Sequence, residues 1–530
     1  MEHRTKVLII GAGPTGLMAA CQLRKQGIEP IIIDKKDGPT KESRALVVHA
    51  RSLEIYDQLG IVNEALLKGE IVHKAQFIVK GKKVSELPLD RIGEGTTPFP
   101  FLLVLEQSRN EELLYTHLKK LGGEVEWNSE MVSLLQEDNS NIVGVKQGKE
   151  VIDIKADYII AADGAKSIVR ETLELPFEGD TYEQIFYVAD TAVDWKWGKE
   201  ALSVCTSAQS FLGLFPMQGK DRFRVIGILP PSFQNEHPQS FEEIVPLIQE
   251  QIGIPLKFSD TAWFSVYRLH HRCIEHFRKG NVFFAGDAAH IHSPAGGQGM
   301  NTGLQDAYNL AWKLAMVIKG TAGDSLLDTY EQERLPFAKY LMSSTDRMFN
   351  VMTSVKWYHR VLRLRIFPHF LPLLVRFKNL REKAFRNISQ IAIKYVNSDL
   401  TVNRILQSLP IKAGERFPYL MTKDCESIYH LMRESAFHAL VFTTSKESKL
   451  VEEMKILETE IGKSLHVIDL SEEEQLCASF KIKKDVVVLV RPDHYIGLIT
   501  DEGAKVVGDY LKRLGEEKKN DGVKLQKTQP

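Results

Sequence analysis

Three glycine-centred motifs, far apart in the chain, constrain this sequence more than any single stretch of it. The first is Gly11-Ala12-Gly13-Pro14-Thr15-Gly16, which follows the apolar run Val7-Leu8-Ile9-Ile10 and precedes a helical stretch from Leu17 to Arg24. G-x-G-x-x-G spacing between a buried strand and a helix gives a tight turn, close backbone approach to a pyrophosphate, and amide donors at a helix N-terminus. Pro30-Ile31-Ile32-Ile33-Asp34 reads as the next strand and ends in an acid 18 residues beyond Gly16, followed by Lys35. A carboxylate there suits an adenosine ribose with a free 2′-hydroxyl, as in FAD or NAD.

The other two motifs decide between those cofactors. Asp157-Tyr158-Ile159-Ile160-Ala161-Ala162-Asp163-Gly164 is a second strand and turn. Phe284-Ala285-Gly286-Asp287-Ala288-Ala289-His290 follows a third apolar run, and Pro294-Ala295-Gly296-Gly297-Gln298-Gly299-Met300-Asn301-Thr302 then opens a helical pattern reaching about Ile318. A carboxylate at Asp287 suits a ribityl hydroxyl. The glycine-rich loop lets backbone approach a flat ring, and the helix start places donors where negative charge develops on a reduced flavin. The order of the three motifs therefore points to a flavin dinucleotide and to oxidoreductase chemistry.

With these residues in place the chain resembles the single-component FAD-dependent aromatic hydroxylases of the p-hydroxybenzoate hydroxylase fold, in particular the phenol hydroxylase and aromatic polyketide hydroxylase subgroup. Ser43 to Ser52, Asp157 to Arg170 and Ala285 to Leu314 carry the likeness, which covers about residues 5–345 and returns near the C-terminus. It implies an α/β fold: a Rossmann-like FAD-binding domain of the GR2 type (1–75, 101–180, 271–350) interleaved with a β-sheet substrate domain (76–100, 181–270), then a helical connector (351–400), a thioredoxin-like domain (401–515) and a disordered tail (516–530). It also implies that Gly11, Gly13, Pro14, Thr15 and Gly16 cradle the FAD pyrophosphate, with Asp34 and Lys35 at the adenosine. Arg44 is expected against the pyrophosphate, Gln107 near the ribityl chain, and Asp163-Gly164 in both FAD and NADPH binding. Gly286 and Asp287 are expected at the ribityl chain, and Pro294, Gly297, Gly299, Met300 and Asn301 along the isoalloxazine. From residue type alone, Arg44 also reads as a surface cation and Gln107 as a helix cap.

The reaction implied is reduction of tightly bound FAD by NADPH or NADH, formation of a C4a-hydroperoxyflavin with O₂, and oxygen delivery to an electron-rich aromatic ring. The flavin carries that chemistry and the protein orients and shields it. Tyr267, Arg268 and Pro294 form the candidate catalytic set, since a tyrosine beside the ring assists phenol deprotonation. Phe211, Phe215, Met217 and Trp263 are candidate substrate contacts, although each also reads as sheet core. Rival readings stay open at this level. A Baeyer–Villiger outcome uses the same peroxide. A halogenase is half echoed by Trp195-Lys196-Trp197, but Ile-Pro does not follow. A flavin-fold binding protein without turnover is the third.

Composition narrows the classes. In 530 residues the net charge is −1, which argues against a nucleic-acid binder. The five cysteines show neither C-x-x-C nor metal spacing, and fit a reducing, cytoplasmic setting with no metal site. His270, His271, His290 and His292 lack the i, i+4 arrangement of a zinc helix. No apolar run reaches 18 residues, so no membrane span is expected. The basic, apolar stretch 353–386 is expected to pack its apolar stripe on a core or on a second copy in a homodimer, with peripheral membrane contact the lesser alternative. Strand and helix signals alternate from His438 to Leu514, and Thr443-Thr444-Ser445-Lys446 stands where a redox thioredoxin carries its cysteines.

Overall fold

The protein is described by a computed structural model covering residues 3–41, 45–90, 92–138, 140–207, 211–229, 233, 238–294, 296–354, 356–366, 368–370, 377–445 and 447–516. Arg44, Ala295, Lys446 and the tail from 517 onward lie outside the described residues.

Continuous apolar strands build the first sheet. His3–Ile10 pairs in parallel with Ile31–Ile33 on one side and with Glu150–Ala161 on the other, and the latter pairs in parallel with Val282–Phe284. Val7, Leu8, Ile9, Ile159, Ile160, Val282, Phe283 and Phe284 are all fully buried, as strands covered on both faces require. The helix Pro14–Lys25 covers one face. Pro14 starts it where the missing N–H costs nothing, and Gly16 to Leu23 are buried. An antiparallel meander, Ser129–Glu137 and Ser140–Gln147, extends Glu150–Ala161.

A second, eight-stranded sheet lies across the chain's middle. Its order runs His290–Ile291, Phe258–Cys273, Glu178–Val193, Arg222–Ile228, Phe211–Pro216, Ala201–Thr206, Lys74–Val79, Lys82–Pro88. Glu178–Val193 and Phe258–Cys273, sixteen residues each, pair antiparallel as its backbone. One face is sealed by Phe241, Ile244 and Ile248 packed on Ile185, Tyr187 and Ala189. The other face turns towards the first sheet: the Arg224 guanidinium donates to the Ala45 carbonyl at 3.3 Å, and Phe215 and Met217 pack with Leu46 and Val47.

The C-terminal sheet orders Val402–Arg404, Ile496–Thr500, Val486–Val490, Phe437–Phe442 and Leu465–Asp469, flanked by the helices Leu450–Ile461, Glu474–Phe480 and Ala504–Gly515. Its Arg491-Pro492-Asp493 turn is wedged against the helices Ala50–Leu59 and Gly299–Ile318. Arg491 grips Glu333 through two hydrogen bonds of 2.6 and 2.9 Å, Arg51 donates to the Asp493 carbonyl at 2.7 Å, and Trp312 Nε1 donates to Asp493 Oδ2 at 3.2 Å. The Tyr308 hydroxyl donates to Gln58 Oε1 at 2.6 Å and lies 3.2 Å from the Pro492 carbonyl. Tyr308→Phe is expected to cost about 1–2 kcal/mol, read from urea unfolding, because it leaves those buried acceptors short of one donor.

Between these units the connector leaves most of its described large apolar groups outside the chain's own core. Trp357, Tyr358, Val361, Phe370, Phe377 and Leu380 are exposed, and the described residues include the helices Trp357–Val361 and Lys378–Ile388. Phe385 is the exception; it is buried against Gly93. No helix among the described residues is long and apolar enough to cross a membrane.

Candidate functional site

Strand register brings the three glycine motifs together. Ile10 pairs with both Ile33 and Ala161, and Ala161 pairs with Phe284, so four parallel strands end level with one another. The segments that leave those ends, 11–16, 34–36, 162–164 and 285–287, therefore emerge side by side at the carboxyl edge of the sheet, where open α/β sheets bind ligands.

The first motif's glycines answer different demands. Gly11 has φ +102°, and a Cβ there would lie 2.4 Å from the Ala162 carbonyl oxygen. A Cβ at Gly16 would meet the Gly11 carbonyl oxygen at 1.9 Å. Both are glycine because the chain crosses itself. Gly13 has an ordinary extended backbone, φ −76°, and nothing lies within 4 Å of where its Cβ would stand. Nothing among the described residues calls for a glycine there, whereas a group approaching the N-terminus of Pro14–Lys25 does. That cradle fits a dinucleotide pyrophosphate. Thr15 sits at the junction of the first and third motifs: a Cβ on Gly286 (φ +60°) or on Gly303 would collide with its Oγ1 at 2.6 or 2.3 Å.

Polar groups frame the same cleft. Asp34 accepts from the Ala12 amide at 2.7 Å and the Lys36 amide at 2.9 Å, so it braces the first turn; Lys35 beside it is exposed. A carboxylate has acceptor capacity beyond those two bonds. Gln107 accepts from the Ala45 amide at 3.2 Å and donates to Glu111 at 2.9 Å. Glu111, absent from the sequence reading, is fully buried and also receives the Thr40 amide at 2.8 Å. Asp163 accepts from the Val169 amide at 3.3 Å, while its buried Oδ1 has no partner among the described residues. Burial holds the Asp163 carboxyl above the usual carboxylate range. Gly164 beside it needs its φ of +85°. Asp287 is exposed between the buried Gly286 and Ala288.

The 294–301 loop is pinned from below. Asn301, fully buried, donates to the carbonyls of Val47 at 2.8 Å and Gly297 at 2.9 Å, and accepts from the His49 amide and the Ser52 hydroxyl, each at 2.8 Å. Its amide is spent on fixing the loop expected along the isoalloxazine. Pro294 is exposed and its carbonyl accepts from the Gly297 amide at 2.9 Å. Gly299 begins the helix Gly299–Ile318, and Met300 Sδ receives Asn110 Nδ2 at 3.2 Å.

His49 pins the loop a second time, its Nε2 lying 2.8 Å from the Gly296 carbonyl. A carbonyl only accepts, so Nε2 carries the proton. Burial lowers the His49 pKa to about 4. The unfolded imidazole, near 6.5, takes up a proton that the folded one refuses, so this residue costs nothing above about pH 6.5 and up to roughly 3 kcal/mol as the pH falls to about 4. His49→Gln is expected to flatten the fall of unfolding free energy with acid by up to about one proton between those pH values. An unchanged slope contradicts the assignment.

Sequence reading missed the strongest electrostatic element of the site. Asp306 is fully buried; its Oδ1 receives Arg334 Nε at 2.7 Å, and its Oδ2 takes the Gly286 amide at 3.0 Å and His290 Nε2 at 2.7 Å. Burial alone would raise the Asp306 pKa, but Arg334 and His290 outweigh it and bring it to about 2. One carboxylate thus locks the third motif's turn onto the helix that leaves the 294–301 loop. The available signal was an acid among the leucines and alanines of Leu304 to Leu314, a stretch that also carries Gln305, Asn309 and Lys313.

Strand alternation sorts the candidates on the second sheet. Phe215 pairs with Arg224, Trp263 with Asp190, and Tyr267 with Phe186. Arg224 holds Asp190 through two 2.7 Å hydrogen bonds and lies over the Trp263 ring at 5.5 Å. Phe211, Phe215, Trp263 and Tyr267 consequently share the face turned to the first sheet, and Met217 packs there with Val47. Val47 also touches the loop, 3.0 Å from a Cβ placed on Gly297. Arg268 is a correction. It is exposed, one residue out of phase with Tyr267, and so lies on the opposite face with Phe264 and Val266.

With this geometry in place, comparison with known proteins is direct. The FAD binding domain family matches residues 4–345. The chain is 33% identical over 405 residues to 6-methylpretetramide 4-monooxygenase of Streptomyces rimosus, covering 75% of this chain and 71% of that protein. It is 30% identical over 523 residues to a flavin-dependent monooxygenase of Mycobacteroides abscessus, covering 96% and 99%. Among solved structures, anhydrotetracycline hydroxylase from Streptomyces rimosus superposes with a TM-score of 0.76 at 27% identity, covering 97% of this chain and 99% of that one. The chain belongs to the FAD-binding aromatic hydroxylase family, and it is a flavin-dependent monooxygenase with FAD as its cofactor.

Proposed function

We propose that this enzyme hydroxylates a bulky aromatic substrate, phenolic or polyketide-like, with NADPH or NADH as the reductant and O₂ as the oxygen source. FAD, when bound, supplies the redox and oxygen-activating chemistry. Gly11, Gly13, Pro14, Thr15 and Gly16 would hold its pyrophosphate, with Asp34 and Lys35 towards the adenosine. Gln107, Asp163, Gly164, Gly286 and Asp287 would hold the middle of the cofactor, and Pro294, Gly297, Gly299 and Met300 the ring. Asn301, His49 and Asp306 act through the loop, as positioning residues. The substrate would lie against Phe211, Phe215, Met217, Trp263 and Tyr267, with the Tyr267 hydroxyl as the group that assists loss of a phenolic proton.

One observation carries this reading. Val47 touches the 294–301 loop on one side and the sheet face of Phe215 and Met217 on the other, so the ring site and the aromatic face are neighbours. We read the C-terminal unit as a thioredoxin-like scaffold without thiol exchange, since Thr443-Thr444-Ser445 occupies the redox position, and we expect a cytoplasmic setting. The test is a panel of phenols and polycyclic aromatics. Purified protein should be yellow, some members should accelerate NAD(P)H oxidation, and their products should gain one oxygen atom. A yellow protein whose NAD(P)H consumption no aromatic compound stimulates would overturn the substrate class. A halogenated product would replace the hydroxylase reading with the halogenase.

A further inference from the structure

We propose that the exposed face formed by residues 356–366, 368–370 and 377–388 seats the enzyme on an anionic membrane surface. The inference does not depend on which substrate is oxidised. From Lys356 to Arg386 the chain carries nine lysines and arginines against the single acid Glu382, although the whole chain has a net charge of −1. Large apolar side chains stand in water among those charges. Trp357 is 75% exposed, Phe377 64% and Phe370 57%, and Tyr358, Val361 and Leu380 are exposed with them. Arg360, Arg365, Lys378 and Lys383 are exposed beside them.

Charge selects among possible occupants. A two-fold contact between copies would set this positive face against itself, and like charges facing one another are costly. A nucleic acid answers the cations but leaves the aliphatic and aromatic groups without an apolar partner. A bilayer interface rich in anionic headgroups satisfies both, because aromatic side chains settle at the headgroup boundary while lysines and arginines reach phosphate.

Position adds a reason for such a seat. Just before the segment, Phe349 packs on Tyr182 and Phe186 of the second sheet, with ring centroids 4.3 and 5.4 Å apart. Just after it, Gln390 donates to Thr302 Oγ1 at 2.9 Å, at the start of the helix that leaves the 294–301 loop. The two flanks of the basic face are therefore tied to the aromatic sheet and to the helix that leaves the 294–301 loop.

The experiment is co-sedimentation of the full-length holoenzyme with vesicles of phosphatidylcholine alone or with about one third phosphatidylglycerol. Binding should be at least about tenfold tighter to the anionic vesicles, and should weaken as salt is raised. R360E/R365E/K378E should weaken it by about a hundredfold, and W357A/F370A/F377A by about tenfold or more. Both variants should keep the yellow colour and the wild-type rate of NAD(P)H oxidation in solution. Equal or undetectable binding of the wild type to the two vesicle types would overturn the proposal, as would variants that bind as well as the wild type. So would a wild-type dimer that either variant converts to monomer, because the face would then be covered by a second copy.

Discussion

Gly13→Val should yield a protein that folds as well as the wild type yet purifies without colour. Its backbone conformation is open to any residue, and among the described residues none beyond its chain neighbours stands within 4 Å of the added Cβ. Stability of the FAD-free chain should therefore change by less than about 0.5 kcal/mol. The branched side chain would instead fill the cradle at the N-terminus of Pro14–Lys25 and deny a phosphate its backbone donors. Two charge-assisted hydrogen bonds at about 1.5–3 kcal/mol each amount to about 3–6 kcal/mol. FAD affinity should fall by roughly two to four orders of magnitude, and turnover with it. Flavin fluorescence quenching and thermal melts of the FAD-free forms separate affinity from fold. Gly11→Val is the control with the opposite signature, because its clash with Ala162 damages the fold itself.

Asp306→Ala should destabilise the chain by about 3–5 kcal/mol, the cost of stranding a buried guanidinium and a buried amide. Arg334 is fully buried and holds to the Thr302 carbonyl at 3.2 Å and the Tyr395 hydroxyl at 3.1 Å, so it cannot turn to water. The Gly286 amide loses its acceptor as well, and the turn that carries Asp287 should loosen. Urea unfolding gives the first effect, and hydrogen exchange at residues 285–291 gives the second. The pH dependence has a definite sign. A carboxylate held near 2 in the fold and near 3.9 unfolded contributes stability that is present above about pH 3.9 and is lost as the pH falls towards 2. The variant should lack that part of the acid sensitivity.

What was legible in the sequence follows the range of the forces involved. The three glycine motifs were readable because each meets a local demand: Gly11 and Gly164 need positive φ, and Gly13 needs an open face. The parallel strands were readable because strands buried on both faces are continuous apolar runs. Partners set by the fold were not readable. Asp306 and Arg334 lie 28 residues apart on different helices, and Asn301 joins Val47 across 254 residues. Nothing local distinguishes Asn301 as a residue that binds a ligand from one that binds its own loop.

Arg268 shows a different failure. Tyr267 and Arg268 are adjacent candidates, yet neighbours in a strand point to opposite faces, and the period of two assigns only one of them to the cleft. Exposed polar residues such as Asp260 and Arg268 interrupt the apolar pattern of Phe258–Cys273, so alternation alone does not mark its full length. In the connector, the cations between apolar residues read as a stripe that packs on a core or on a second copy, and among the apolar residues described there Phe385 is the one the chain's own core takes up.

Titrating the yellow holoenzyme with an aromatic compound while recording the flavin absorption spectrum tests the central claim most directly, namely that ring site and aromatic sheet face form one cleft. The account predicts a saturable shift of the flavin bands whose midpoint moves to higher concentration in Trp263→Ala, a change on the sheet rather than in the FAD-binding loops. A flavin spectrum indifferent to every compound that the protein binds would contradict it, because flavin and aromatic guest would then occupy separate places.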